Sequence, residues 1–99
     1  MAQDVYRYRF QPCVDADDVE SSLLLAIWGV ESLHGETQTR LDAAHLFDAQ
    51  KKSCVIDAGT EVGRTLNRLF LGYLQREYEE DAFTVTRVDV NIPRSSSSN

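Results

Sequence analysis

The chain has 99 residues, 42% of them hydrophobic, and its 16 acidic and 10 basic residues give a formal net charge of −6. A chain of this length builds one domain around one core, and its acidic balance disfavours nucleic acids and anionic membranes as partners. No apolar run approaches the roughly 18 residues of a membrane span. We therefore expect a soluble, cytoplasmic protein with no membrane contact.

The placement of cysteine and histidine argues against a disulfide or a metal site. Cys13 and Cys54 are the only cysteines. Two cysteines far apart, with no apolar targeting segment before them, are typical of reduced cytosolic thiols. A metal site would need both cysteines to converge with His34 and His45 from scattered positions. We expect neither a metal nor any other cofactor.

The first two predicted elements are a strand over residues 5–10 and a helix over residues 16–33. The strand alternates, which is typical of a half-buried strand. One face carries Tyr6, Tyr8 and Phe10, and the other carries Arg7 and Arg9. Asp15 is a candidate N-cap for the helix, and Gly35 is a natural stop for it.

Two strands, a second helix and a last strand follow. The strands are predicted over 38–47 and 53–57, joined by a polar turn, and Thr60 is a candidate cap for a helix over 61–78. An acidic break at 79–81 separates this helix from a strand over 83–90. Residues 93–99 form a serine-rich tail that we expect to be disordered, so that one α/β domain spans 1–92.

The order of the elements is strand, helix, strand, strand, helix, strand. Two crossover helices joined by a hairpin predict the split βαβ arrangement, and right-handed crossovers place both helices on the same face of the sheet. We therefore predict the α+β class, as a ferredoxin-like two-layer sandwich with a four-stranded antiparallel sheet and two helices on one face.

No residue set in the sequence forms a recognisable catalytic constellation, so an enzyme is the least favoured class. The best local anion site is the turn before the second helix, where Gly59, Thr60 and Arg64 could hold a phosphate at a helix N-terminus. The structural alternative is that the glycine forms the turn and the threonine caps the helix. Asp57 and Glu61 would also repel an anion there.

The helices carry more apolar residues than one core-facing stripe requires. Trp28 falls opposite the predicted core stripe of the first helix, and turning the helix to bury it would bury glutamates instead. An exposed apolar patch with a tryptophan indicates a partner surface, unless helix ends bend or the tail covers it. The predicted interface residues are Leu24, Trp28, Leu71, Leu74 and Tyr78.

Two functional hypotheses from different classes follow. The favoured one is a non-catalytic protein-interaction or assembly module that docks through its helix layer, to itself or to another protein. The alternative is a nucleic-acid or phosphate-ligand binding domain that uses the 59–64 turn, or Arg7 and Arg9 on the uncovered face of the sheet. The net charge of −6 and the absence of Lys and Arg from residues 15–36 weigh against this alternative.

Overall fold

A computed structural model describes residues 4–89 of the chain. The architecture is α+β, with the four-stranded antiparallel sheet that the sequence predicts. Within the described residues three α-helices and one short 3-10 helix accompany the strands. In chain order the elements are β1 (Asp4–Phe10), α1 (Ala16–His34), α2 (Glu36–Asp42), β2 (His45–Asp48), β3 (Ser53–Asp57), α3 (Glu61–Glu77), the 3-10 helix (Glu80–Ala82) and β4 (Phe83–Asp89).

The sheet has the strand order β2-β3-β1-β4, and every neighbouring pair is antiparallel. Tyr8 at the centre of β1 lies opposite Cys54 of β3 and Val85 of β4. Because side chains alternate between the faces of a strand, Tyr8, Cys54 and Ile56 share the face that the helices cover, and all three are fully buried. Arg7 and its neighbours on the same parity line the other face.

Helix α1 begins and ends where local capping chemistry predicts. The Asp15 carboxylate accepts a hydrogen bond of 2.9 Å from the backbone N–H of Asp17, which satisfies one of the free donors at the helix start. Gly35 follows the last residue with a φ of 89°, a value that glycine adopts without steric cost. The prediction of a helix over 16–33 is therefore confirmed within one residue.

Helix α3 packs against the sheet closely enough to require a glycine. The Thr60 hydroxyl accepts a 2.9 Å hydrogen bond from the backbone N–H of Gly63. A Cβ atom at Gly63 would lie 2.1 Å from the backbone oxygen of Asp57, so only glycine fits at this approach. Beyond it, Leu66 and Phe70 are fully buried, and α3 ends at Glu77, one residue before the predicted end.

The predicted strand over 38–47 is wrong in its first half. Residues Glu36–Asp42 form helix α2, and β2 contains only four residues. Local contacts explain the helix: the Thr39 hydroxyl donates to the carbonyl of Gly35 at 2.8 Å, and Arg40 pairs with Glu36 one turn earlier at 2.7 Å. The alternation that predicted a strand corresponds to an actual strand only in the last part of the segment. There His45 and Phe47 share the helix-covered face.

The helix layer therefore has three helices rather than the predicted two. Helix α2 is a short addition between α1 and β2. Within residues 4–89, no helix combines the length and apolar character needed to cross a membrane. The predicted tail at 93–99 lies outside the described residues, as does the last residue of the predicted strand over 83–90.

Candidate functional site

The outer side of α1 carries three exposed apolar side chains in one continuous patch. Leu24, Leu25 and Trp28 are 45%, 52% and 59% exposed, and we call them the α1 outer patch. Positions three and four apart are neighbours on a helix surface, so both leucines adjoin the tryptophan. The opposite side of the helix supplies the core, through residues such as Ala26 and Val30. The predicted orientation of Trp28 is therefore the one that the structure has.

The predicted interface residues of α3 do not join this patch. Leu74 is fully buried in the core, so it is not available on an exposed surface. Leu71 and Tyr78 are partly buried, and both line a groove on the other flank of α3, beside β4. Helical periodicity groups Leu71, Leu74 and Tyr78 on one flank of α3, but the tertiary structure buries Leu74 and places the other two beside β4.

The turn before α3 is occupied by its own protein groups. The Asp57 carboxylate accepts from the Gly59 N–H at 2.8 Å, and the Thr60 hydroxyl donates to a backbone carbonyl at the end of α2 at 2.6 Å while it accepts from Gly63. The N–H of Arg64 donates to the Thr60 carbonyl at 2.9 Å. These contacts support the structural interpretation of this segment, a turn and a cap, over a phosphate site.

Arg7 and Arg9 lie together on the uncovered face of the sheet, as their alternation predicts. They line a depression of about 610 Å³ that also contains a third cation, Lys51, and one carboxylate, Asp48. We call this site the open-face depression. Apolar side chains from two strands and a serine complete its lining: Leu46, Val55 and Ser53.

A second concave site lies between α3 and the outer strand β4. It has a volume of about 460 Å³, and we call it the β4 groove. Val85 is 37% exposed there, because α3 packs over β1 and covers the outer strand only in part. No pattern in the sequence indicates this groove, because it depends on how α3 packs over the sheet. The residues that line it are Leu71, Gln75, Tyr78, Glu80, Phe83 and Val85.

The titratable groups of the core are held neutral and have structural contacts. Burial raises the pKa of the Cys54 thiol to about 12. Burial, followed by the neighbouring Cys54 and Tyr6, also raises the pKa of the Tyr8 hydroxyl above its usual value. That hydroxyl donates to the Asn67 side-chain oxygen at 2.5 Å, and its ring meets Phe70 edge-on at 4.9 Å. Neither group faces solvent, so neither is placed to act on a substrate.

Sequence reasoning missed Leu46 and Lys51 in the open-face depression. The missing information was strand register, because Leu46 lies opposite Val55 only through the pairing of β2 with β3. Across residues 4–89, no three or more His, Cys, Asp or Glu side chains form a group able to hold a metal ion.

Comparison with models of protein families, with curated proteins and with solved structures finds no match to this chain. Three surfaces of the described residues are candidates for binding: the α1 outer patch, the open-face depression and the β4 groove.

Proposed function

We propose that this protein is a non-catalytic assembly module, which pairs with a second copy of itself through the α1 outer patch. The observation that carries the proposal is the exposure of Trp28, 59%, between Leu24 and Leu25 on one helix face. Apolar side chains of this size each contribute about 1.5–3 kcal/mol when they are fully buried. Tryptophan is also enriched among the residues that dominate protein interfaces.

The charges around the patch favour a second copy as the partner. Helix α1 bears exposed carboxylates and no lysine or arginine, with Glu20 beside the patch. Helix α3 bears the exposed cations Arg68 and Arg76 on the same layer. If the two α1 outer patches meet about a twofold axis with the helix layers face to face, the arginines of α3 would approach the α1 carboxylates of the other copy at the rim.

The test uses the fact that Trp28 is the only tryptophan in the chain. As the protein concentration is raised, we expect its fluorescence emission to shift to the blue while light scattering reports a doubled mass. Leu24→Glu together with Leu25→Glu should keep both signals at their dilute values, because two buried charges oppose association. Trp28→Glu should give a folded monomer by light scattering.

Leu41→Glu is the matched control, since Leu41 is 72% exposed on α2, outside the patch. This variant should associate as the wild type does. A wild type that remains monomeric at every concentration, with an unshifted emission, contradicts self-association. Equal loss of association in the Leu41 variant would contradict the location of the interface.

We also infer that the fold is the ferredoxin-like sandwich, with α2 as an insertion before its second strand. Support comes from the strand order β2-β3-β1-β4 together with two long helices that cross over the sheet, α1 and α3. This order is the one that two interleaved split βαβ units produce. An experimental structure with a different strand order would contradict the assignment.

The open-face depression supports a second candidate function, the binding of a nucleic acid or a phosphate ligand. Three cations, Arg7, Arg9 and Lys51, converge there beside one carboxylate. Binding of a single-stranded RNA oligonucleotide that weakens with salt, and is lost in Arg7→Glu/Arg9→Glu, would favour this candidate over assembly. Absence of any salt-sensitive binding by the wild type would remove it.

A further inference from the structure

The β4 groove is an apolar depression whose shape follows from the position of α3. Phe70 of α3 packs on Tyr8 of β1, so the helix axis lies over the inner strands rather than over β4. The outward flank of α3 and the covered face of β4 therefore form two walls with an open top. Leu71 and Tyr78 form one wall, and Phe83 and Val85 form the other.

The backbone of β4 adds hydrogen-bonding groups along the rim of this groove. Among residues 4–89, β4 pairs with β1 alone, so its second edge faces outward. The backbone N–H of Gln11 donates to the carbonyl of Ala82 at 2.9 Å, which sets the phase of the antiparallel ladder. Thr84 and Thr86 therefore direct their peptide groups toward β1. The peptide groups that point outward belong to Phe83, Val85 and Arg87.

The outward-facing residues also place their side chains on the groove side of the strand. Val85 lies opposite the buried Tyr8, and Phe83 lies opposite Phe10, so both share the helix-covered face. A strand laid along this edge would bond to the backbone of Val85. Its own side chains on that face would enter the groove. An edge with free peptide groups and apolar depressions beside it is the geometry used in strand addition.

The charges at one end of the groove define the partner. Glu80 lines the groove, and Glu79 and Asp81 are its exposed neighbours. Burial, then the carboxylates of Asp18, Glu77 and Asp15, raises the pKa of Tyr78 in the groove wall. The surroundings of this tyrosine are therefore negative. The arginine of β4 near the other end, Arg87, is paired with Asp4.

We propose that β4 binds an extended peptide by strand addition, with an apolar side chain of the peptide in the β4 groove and a lysine or arginine against Glu80 and its acidic neighbours. The β4 groove is lined by residues of α3, the 3-10 helix and β4, and none of them belongs to the α1 outer patch. The peptide-binding proposal therefore rests on a different surface from the assembly proposal.

The test measures binding of a labelled synthetic peptide to the full chain by fluorescence anisotropy. The peptide has a core of alternating valine and threonine with two lysines at each end, and a matched peptide carries glutamates in place of the lysines. We expect the lysine peptide to bind, and to bind more weakly as salt is raised. A third peptide, N-methylated at its valine amides, should lose binding because it cannot pair with the edge.

Two variants locate the site on the protein. Val85→Pro removes one outward N–H without removing a bond between β1 and β4, and proline is tolerated on edge strands. It should weaken binding about tenfold, the loss expected for one hydrogen bond and a disturbed neighbour. Glu80→Lys together with Asp81→Lys changes only exposed residues. It should reverse the preference, so that the glutamate peptide binds better than the lysine peptide.

Several outcomes would overturn the proposal. Equal binding of the N-methylated peptide would exclude strand addition, and an unchanged preference after charge reversal would exclude the acidic end as the specificity element. If the full chain does not bind the lysine peptide, the proposal is wrong. This holds even when the reason is that residues 90–99 or a second copy already occupies the edge. Circular dichroism of Val85→Pro must match the wild type; the modified peptide and the charge reversal test the proposal independently of that variant.

Discussion

Helices α1 and α3 cover the same face of one sheet, but they present different side chains to their outer sides. Helix α3 separates its residues cleanly, with Leu66, Phe70 and Leu74 fully buried and arginines on its exposed positions. Helix α1 also buries one stripe, yet its outer side carries the α1 outer patch. The buried stripes supply the apolar area that stabilises the fold. The apolar residues of the patch lie outside these stripes, and the assembly role proposed above would account for them.

The largest expected effect contrasts a leucine from the inner side of α3 with one from the outer side of α1. Leu66→Ala should lower the free energy of unfolding by about 3 kcal/mol, because it removes buried methyl groups and leaves a cavity. Leu24→Ala should change it by less than about 0.5 kcal/mol in the monomer. Urea unfolding at low protein concentration measures both.

Similar losses in the two leucine variants would break the comparison, because Leu24 would then be a folding residue. A small loss of unfolding free energy in both variants would instead contradict the burial of Leu66 between α3 and the sheet.

Two glycines of α3 give the next contrast. Gly63→Ala should lower the free energy of unfolding by about 2 kcal/mol, since its Cβ would meet the Asp57 backbone oxygen at 2.1 Å. Nothing lies within 4 Å of a Cβ at Gly72, so Gly72→Ala should raise the same quantity by about 0.5–1 kcal/mol through helix propensity. Thermal unfolding of both variants checks the opposite signs. If both variants changed the free energy of unfolding in the same direction, Gly63 would not lie in close contact with the Asp57 backbone.

The smallest of the three expected losses of stability occurs in alkaline solution, and it tests the burial of Tyr8 and Cys54. Tyr8 and Cys54 have folded-state pKa values above their ordinary 10.0 and 9.0. Both groups therefore bind their protons more tightly when the protein is folded. Their contribution to the free energy of unfolding is complete below the ordinary pKa values. It is lost as pH rises through the ordinary pKa values toward the folded-state pKa values. Between about pH 8 and about pH 10.5 the free energy of unfolding should fall by on the order of 1–2 kcal/mol.

Cys54→Ala provides the control for the alkaline experiment. This variant should be less stable at neutral pH, yet its free energy of unfolding should fall less steeply above about pH 9, since one of the two titrating groups is gone. A wild-type stability that stays constant over this range would contradict the burial of both groups.

Local features of the sequence determined most of the element boundaries. Asp15, Gly35 and Thr60 mark helix ends through side-chain capping or a backbone conformation that favours glycine, and both depend on residues only a few positions away. The strand at 53–57 has the observed bounds. Trp28 could be placed on the outer side of α1 because helical spacing alone sets it opposite the buried stripe.

The segment that became α2 and β2 shows where local pattern stops deciding. Leu41 and Ala43 continue the alternation of a strand, but the contacts of Thr39 and Arg40 with the preceding turn stabilise a helix. Short segments with competing preferences are settled by the surrounding structure. Here the helix ends at its C-cap, Ala43, which is buried in the core.

Only the tertiary structure decided which side chains lie together on one surface. Leu74 and Tyr78 lie on similar positions of α3, yet one is fully buried and the other lines the β4 groove. The difference depends on β4, which pairs with a strand more than seventy positions earlier in the chain. The sequence by itself determined most of the elements, the caps of α1 and α3 and the outward position of Trp28, since these depend on neighbours along the chain; the segment that forms α2 is the exception. Pairing and packing bring distant residues together, and they alone created the groove and the open-face depression.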